Sequence, residues 1–170
     1  MIELAPRPAI ASAPVTHGDL SLTAPHGGAV IQIMGRRGDD GLATRLRAFV
    51  PDQPHALRVL SPDQWLLVLA APPAPDELAR LREIAGDAAL VDQSSGRARI
   101  RIEGKRAVDV LAQHTAVDLH PSMFAVGNSA ATLFGHISGH LTRVGDDAYE
   151  ILVLRGFAAS LWEALAESAG

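Results

Sequence analysis

The chain has 170 residues, 48% of them hydrophobic and 20% charged, with a formal net charge of −4. That size supports a single core divisible into two lobes of roughly 75 residues each, and the mild acidity gives no electrostatic reason to expect nucleic acid or an anionic membrane as partner. The absence of cysteine excludes disulfides, thiolate metal sites and a cysteine nucleophile.

The start, Met1 to Pro8, lacks the basic residues and apolar run of a secretory signal. Prolines at 6, 8, 14 and 25 make residues 1–28 an irregular arm, with a short strand at Leu20 to Leu22. Ala29 to Met34 reads as a strand, broken by the glycine-rich turn 35–41. Leu42, Leu46, Phe49 and Val50 recur at helical spacing, and Pro51 and Pro54 end that helix. His55 to Leu60 and Trp65 to Leu69 form a hairpin across Ser61, Pro62 and Asp63. A helix then begins near Asp76, with Leu78, Leu81 and Ile84 on one face. The apolar run Trp65 to Ala71 is too short to span a bilayer, and a cytoplasmic location is the expectation.

The second half repeats the plan with one more strand. Ala98, Ile100 and Ile102 alternate with Arg97, Arg99 and Arg101, as in a strand with one buried face. Gly104 turns the chain into a helix carrying Ala107, Val108, Val110 and Leu111. Strands follow at Ser129 to Phe134, His136 to Val144 and Tyr149 to Leu154, the last two joined at Gly145, Asp146 and Asp147. Phe157, Leu161 and Leu165 are the core stripe of the closing helix. The expected fold is α+β: two similar ferredoxin-like lobes, residues 29–90 and 91–170, whose antiparallel sheets are covered on one side by helices.

No segment matches a phosphate-binding loop or a dinucleotide fingerprint, so Arg36 and Arg37 read as a solvated turn. His136 and His140 are the nearest approach to a metal pair, with His114 or His120 available as a third ligand. Their spacing equally suits a polar or interfacial strand face. Arg97, Arg99 and Arg101 are candidates to hold a carboxylate, because guanidinium forks bind carboxylates bidentately; the simpler alternative is a solvated face paired with nearby acids. Ser94 and Ser95 lack the elbow of a hydrolase nucleophile, and Asp146 with Asp147 is a hairpin tip.

The stretch from Val91 through Gly104, Val110 with Leu111, and Asp118 to Pro121 resembles the gamma subunit of heterotetrameric sarcosine oxidase. The likeness continues through Thr132 to Ile137 and Phe157 to Glu163, covering about half the chain. That family is in turn similar to the folate-binding fold of the glycine-cleavage T-protein. Gly135, His136 and Ile137 occupy the Gly-x-Ile turn of that fold, while its following acidic pair is replaced by Gly139 and His140.

The resemblance implies a noncatalytic subunit in a complex that oxidatively demethylates sarcosine to glycine, releases hydrogen peroxide and passes the methyl carbon to tetrahydrofolate. It implies direct packing on the alpha subunit, with beta and delta in the same complex. FAD, FMN, NAD, zinc and tetrahydrofolate are implied for the complex and none for this chain. The alternative is a free-standing folate-binding or one-carbon-transfer protein of the T-protein group, with the arginine stripe steering the glutamate tail.

Overall fold

A computed structural model describes residues 7–50, 52–53 and 55–170. Met1 to Pro6 and the helix-ending prolines Pro51 and Pro54 lie outside the described residues.

The chain begins with two short strands, β1 (Val15–His17) and β2 (Leu20–Thr23), followed by β3 (Ala29–Met34), α1 (Leu42–Phe49), β4 (Leu57–Ser61), β5 (Gln64–Leu69), α2 (Pro75–Ala85) and β6 (Ala89–Asp92). The remainder forms β7 (Arg97–Glu103), α3 (Ala107–Ala112), β8 (Ser129–Phe134), β9 (Ile137–Gly145), β10 (Ala148–Leu154) and α4 (Ala158–Ala169). Helix α2 opens with Pro75 at its first turn, where a missing N–H is tolerated, and the Glu77 carboxylate accepts from the Ala74 N–H at 2.8 Å. No helix among the described residues is long and apolar enough to cross a membrane.

The first sheet has the order β4-β5-β3-β6 and is antiparallel throughout. With two crossing helices this is the β-α-β-β-α-β plan of a ferredoxin-like unit. The second sheet is six-stranded, β1-β2-β7-β10-β9-β8, and also antiparallel. Strand β7 sits between β10 and β2, just as β3 sits between β5 and β6. A strand from the N-terminal segment therefore fills in the second sheet the place that β6 fills in the first. The segment read as an irregular arm carries two paired strands, and Leu20 and Leu22 are fully buried in the second core.

Each sheet has one face under its helices. Ile31, Ile33, Trp65 and Leu67 pack against Leu42 and Leu46 of α1 and Leu81 of α2. Ile100, Ile102, Tyr149 and Ile151 pack against Val110 and Leu111 of α3 and Leu161, Trp162 and Leu165 of α4. The closing helix was expected to bury Phe157, but that residue lies in a 3-10 turn before α4 and is half exposed; Ala158 and Trp162 take its place in the core. The opposite faces of the sheets meet through Val30, Leu66, Val68 and Leu152. The result is four layers, helix, sheet, sheet, helix, with two large cores outside and a thin one between the sheets.

Gly104 lets β7 pass the β1–β2 turn closely. Its φ is +118°, and a Cβ there would collide with the Asp19 carbonyl. Its N–H donates to the Asp147 carbonyl at 2.9 Å, tying this crossing to the β9–β10 turn.

Candidate functional site

Alternation along β7 sends Ala98, Ile100 and Ile102 to the helix side and Arg97, Arg99 and Arg101 to the face that looks at the first sheet. On β10 the residues of that same face are Glu150 and Leu152, with Glu150 opposite Arg101 and Leu152 opposite Arg99. From the first sheet Arg58 of β4 enters the same layer.

Arg58 Nη2 donates to Glu150 Oε1 at 2.6 Å, and Arg99 donates to Glu150 Oε2 from Nη2 at 2.7 Å and from Nε at 3.1 Å. Arg58 is 2% exposed and Glu150 1%. Arg99 also reaches the Leu69 carbonyl at 3.4 Å, and Arg58 Nε donates to the His55 carbonyl at 3.0 Å. Burial alone would raise the Glu150 carboxyl, but Arg58 and Arg99 outweigh it and hold the group below the ordinary carboxylate range. Burial also lowers Arg58 from its usual value, with Glu150 opposing the shift. Both Glu150 oxygens are thus engaged in an ion pair that bolts one sheet to the other.

The three candidate arginines meet different fates. Arg99 belongs to the bolt: it is paired with an acid, as the simpler alternative has it, but that acid lies in the buried inter-sheet layer rather than on a solvated face. Arg101 pairs with Glu103 on its own strand, and both are partly exposed. Arg97 has no salt-bridge partner among the described residues, its Nε is buried without a hydrogen-bond acceptor, and burial lowers its pKa.

His136 and His140 are not brought together as a pair. His136 lies in the β8–β9 turn and is exposed, whereas His140 is buried on β9. His140 Nε2 lies 2.8 Å from the Val59 carbonyl, so that nitrogen carries the proton and donates. Burial lowers its pKa, opposed by this bond and reinforced by Arg58 and Arg97. His114 meets the Ser168 hydroxyl and His120 the Ser122 hydroxyl. Among the described residues no group of three His, Cys, Asp or Glu side chains is placed to hold a metal ion.

Sequence reasoning missed Arg58 and Glu150. A charged residue inside each otherwise apolar strand, Leu57–Ser61 and Ala148–Leu154, was the available signal. It also missed Arg143, whose buried guanidinium donates to the carbonyls of Phe124 at 2.9 Å and Asp146 at 2.6 Å. That residue fastens the loop before β8 to the β9–β10 turn.

Beside the bolt lies a cleft of about 690 Å³ between the N-terminal segment, β3 and β7. Pro8, Ala9, Ala24 and Pro25 contribute apolar surface over a floor that includes Ile10, Val30 and Ala98, and Arg97, Arg99 and Arg155 contribute guanidinium groups. Ser94, whose hydroxyl accepts from the Val30 N–H at 3.0 Å, and Ser95 close one side.

The model of the sarcosine oxidase gamma subunit family matches residues 25–170, and the chain belongs to that family. It is 33% identical over 100 residues to the sarcosine oxidase subunit gamma of Corynebacterium sp. strain U-96, a match covering 58% of this chain and 48% of that one. It is 32% identical over 114 residues to an aminomethyltransferase of Exiguobacterium sibiricum, covering 64% of this chain and 31% of the relative. The matched region thus spans under half the length of these curated relatives. Among solved structures, the heterotetrameric sarcosine oxidase from Corynebacterium sp. U-96 contains a chain that superposes with a TM-score of 0.74 at 24% identity, covering 92% of this chain and 89% of that one. The glycine cleavage aminomethyltransferase T from Bartonella henselae superposes at 0.56 with 18% identity, covering 86% and 45%. The shared fold is the α+β arrangement of two antiparallel sheets and covering helices.

Proposed function

We propose that this member of the gamma subunit family is a noncatalytic subunit of a cytoplasmic heterotetrameric sarcosine oxidase, packing directly on the alpha subunit and stabilising it, with beta and delta completing the complex. The observation that carries this reading is the family match over residues 25–170. The complex would convert sarcosine to glycine with release of hydrogen peroxide and pass the methyl carbon to tetrahydrofolate. FAD, FMN, NAD, zinc and tetrahydrofolate would be held by the other subunits.

The geometry supports a scaffold rather than a reaction centre. Glu150 is the one buried carboxylate among the described residues, and both its oxygens are committed to Arg58 and Arg99. A general base must be free to take a proton from substrate; Glu150 is not. Met123, Leu133, Leu154 and Phe157 are each more than 40% exposed, apolar surface suited to a partner subunit.

The alternative, a free-standing folate-binding or one-carbon-transfer protein, draws support from the aminomethyltransferase match. The residues at the expected acidic pair do not fit that chemistry. A Cβ on Gly139 would lie 2.8 Å from the Phe134 ring, and His140 is turned into the inter-sheet layer against Val59.

Capture decides between the readings. The tagged chain, co-expressed with candidate alpha, beta and delta subunits, is expected to pull down a stoichiometric yellow complex. A stable, monodisperse monomer that ignores those subunits would contradict the proposal.

A further inference from the structure

The inter-sheet layer holds more cation than anion. Among the described residues Arg58, Arg97 and Arg99 face it from two strands, against one buried carboxylate, that of Glu150. Glu150 serves Arg58 and Arg99, which leaves Arg97. A guanidinium partly removed from water without a counter-charge is costly, and an arriving anion would relieve the cost.

The cleft beside Arg97 is shaped to supply that anion. Its volume of about 690 Å³ suits a small organic molecule. Among the described residues no Asp or Glu lines it. Arg99 and Arg155 stand with Arg97 in its wall, and Arg155 Nη2 is held by the Arg7 carbonyl, which closes the N-terminal segment over one end. Pro8, Ala9, Ala24 and Pro25 give the interior an apolar surface that a hydrated inorganic ion would not use. No α-helix N-terminus enters the lining among the described residues, so the row of backbone donors that an α-helix start offers to phosphate is not part of it.

We infer that this cleft binds a small organic carboxylate on an apolar stem, with the carboxylate on the Arg97 guanidinium and the stem against Pro8, Ala9, Ala24 and Pro25. The inference is independent of the subunit reading, since it rests on the cleft alone. Arg155 assists from the rim. Arg101, on the same strand face but outside the cleft and paired with Glu103, takes no part.

The test is an NMR titration of the full-length chain with hexanoate, read at the backbone amides of Ser95 and Ala98, with hexanamide and inorganic phosphate as comparison probes. Hexanoate is expected to give saturable shifts, and hexanamide and phosphate much weaker ones. Arg97→Gln is expected to weaken hexanoate binding about tenfold or more, as loss of one charge-assisted hydrogen bond would. Arg101→Gln is expected to leave it within about twofold. Dispersion of the same spectra verifies that each variant is folded, and Arg155→Gln provides a second cleft variant with a smaller expected loss. Equal shifts from hexanamide or phosphate, hexanoate binding unchanged in folded Arg97→Gln, or no saturable hexanoate shift would each overturn the inference.

Discussion

Arg58 on β4 and Glu150 on β10 are 92 residues apart in sequence and meet at 2.6 Å between the two sheets, each almost wholly shielded from water. A buried pair of this kind adds little net stability compared with well-packed apolar residues, but removing one partner strands the other charge. Glu150→Ala or Arg58→Ala is therefore expected to destabilise the chain by about 3–5 kcal/mol. The double variant should cost less than the sum of the single ones, because each loss already includes the broken pair. A double-mutant cycle in urea measures the difference; strict additivity would show that the contact does not couple the sheets.

Acid should weaken the same layer in two stages. His140 has a lowered pKa in the folded chain, so the unfolded chain takes up a proton first, below about 6.5. Stability is then lost as pH falls from that value through the folded pKa of His140. Glu150 is also lowered, and its contribution is present above the unfolded carboxyl value near about 4.3 and lost as pH falls through its folded value. Tm measured from pH 8 to 2 should fall, and His140→Gln should flatten the upper part of the curve. An unchanged slope in that variant would show that His140 does not contribute to the acid sensitivity.

Residues 15–23 should be indispensable to folding. Leu20 and Leu22 are 1% and 0% exposed, and β2 pairs with β7 through Leu22 and Ile102. Burial of the two leucines alone is worth about 3–6 kcal/mol, a large share of a domain's stability. Deletion of residues 1–24 is expected to give insoluble or molten protein, as judged by near-ultraviolet circular dichroism and solubility. A truncated chain with native spectrum and Tm would contradict the role assigned to β2.

Phe157→Ser tests whether the exposed apolar surface serves a partner. Because Phe157 is 51% exposed, the substitution should change the stability of the isolated chain by no more than about 1 kcal/mol. Capture of the alpha-type subunit should weaken about tenfold or more if Phe157 is a central contact. Undiminished capture would place the interface elsewhere.

Where the chain carries a local signal, its structure was readable. Ala29 to Met34 and Ser129 to Phe134 form strands with the expected limits, since β-formers in each are cut off by a glycine. Strand β6, Ala89–Asp92, was missed: four residues with one end acidic carry too little pattern, and the strand exists through pairing with β3. The pairing of β2 with β7 was equally hidden, because nothing near Leu20 says which sheet it will join. Alternation put the three arginines on one strand face, but could not say that this face meets a second sheet. That depends on Glu150, 51 residues beyond Arg99, and on Arg58 in the other lobe. Phe157 was misplaced because a 3-10 turn shifts the start of the closing helix and points its ring outward.

The proposed role of this chain is to complete a complex. Its most direct test is sarcosine-dependent oxygen uptake by co-expressed alpha, beta and delta subunits, measured with and without this chain, together with the thermal half-life of the activity. Omitting the chain is expected to lower the yield or half-life of active complex sharply, and adding it back during expression to restore both. Full, equally durable activity in its absence would contradict it.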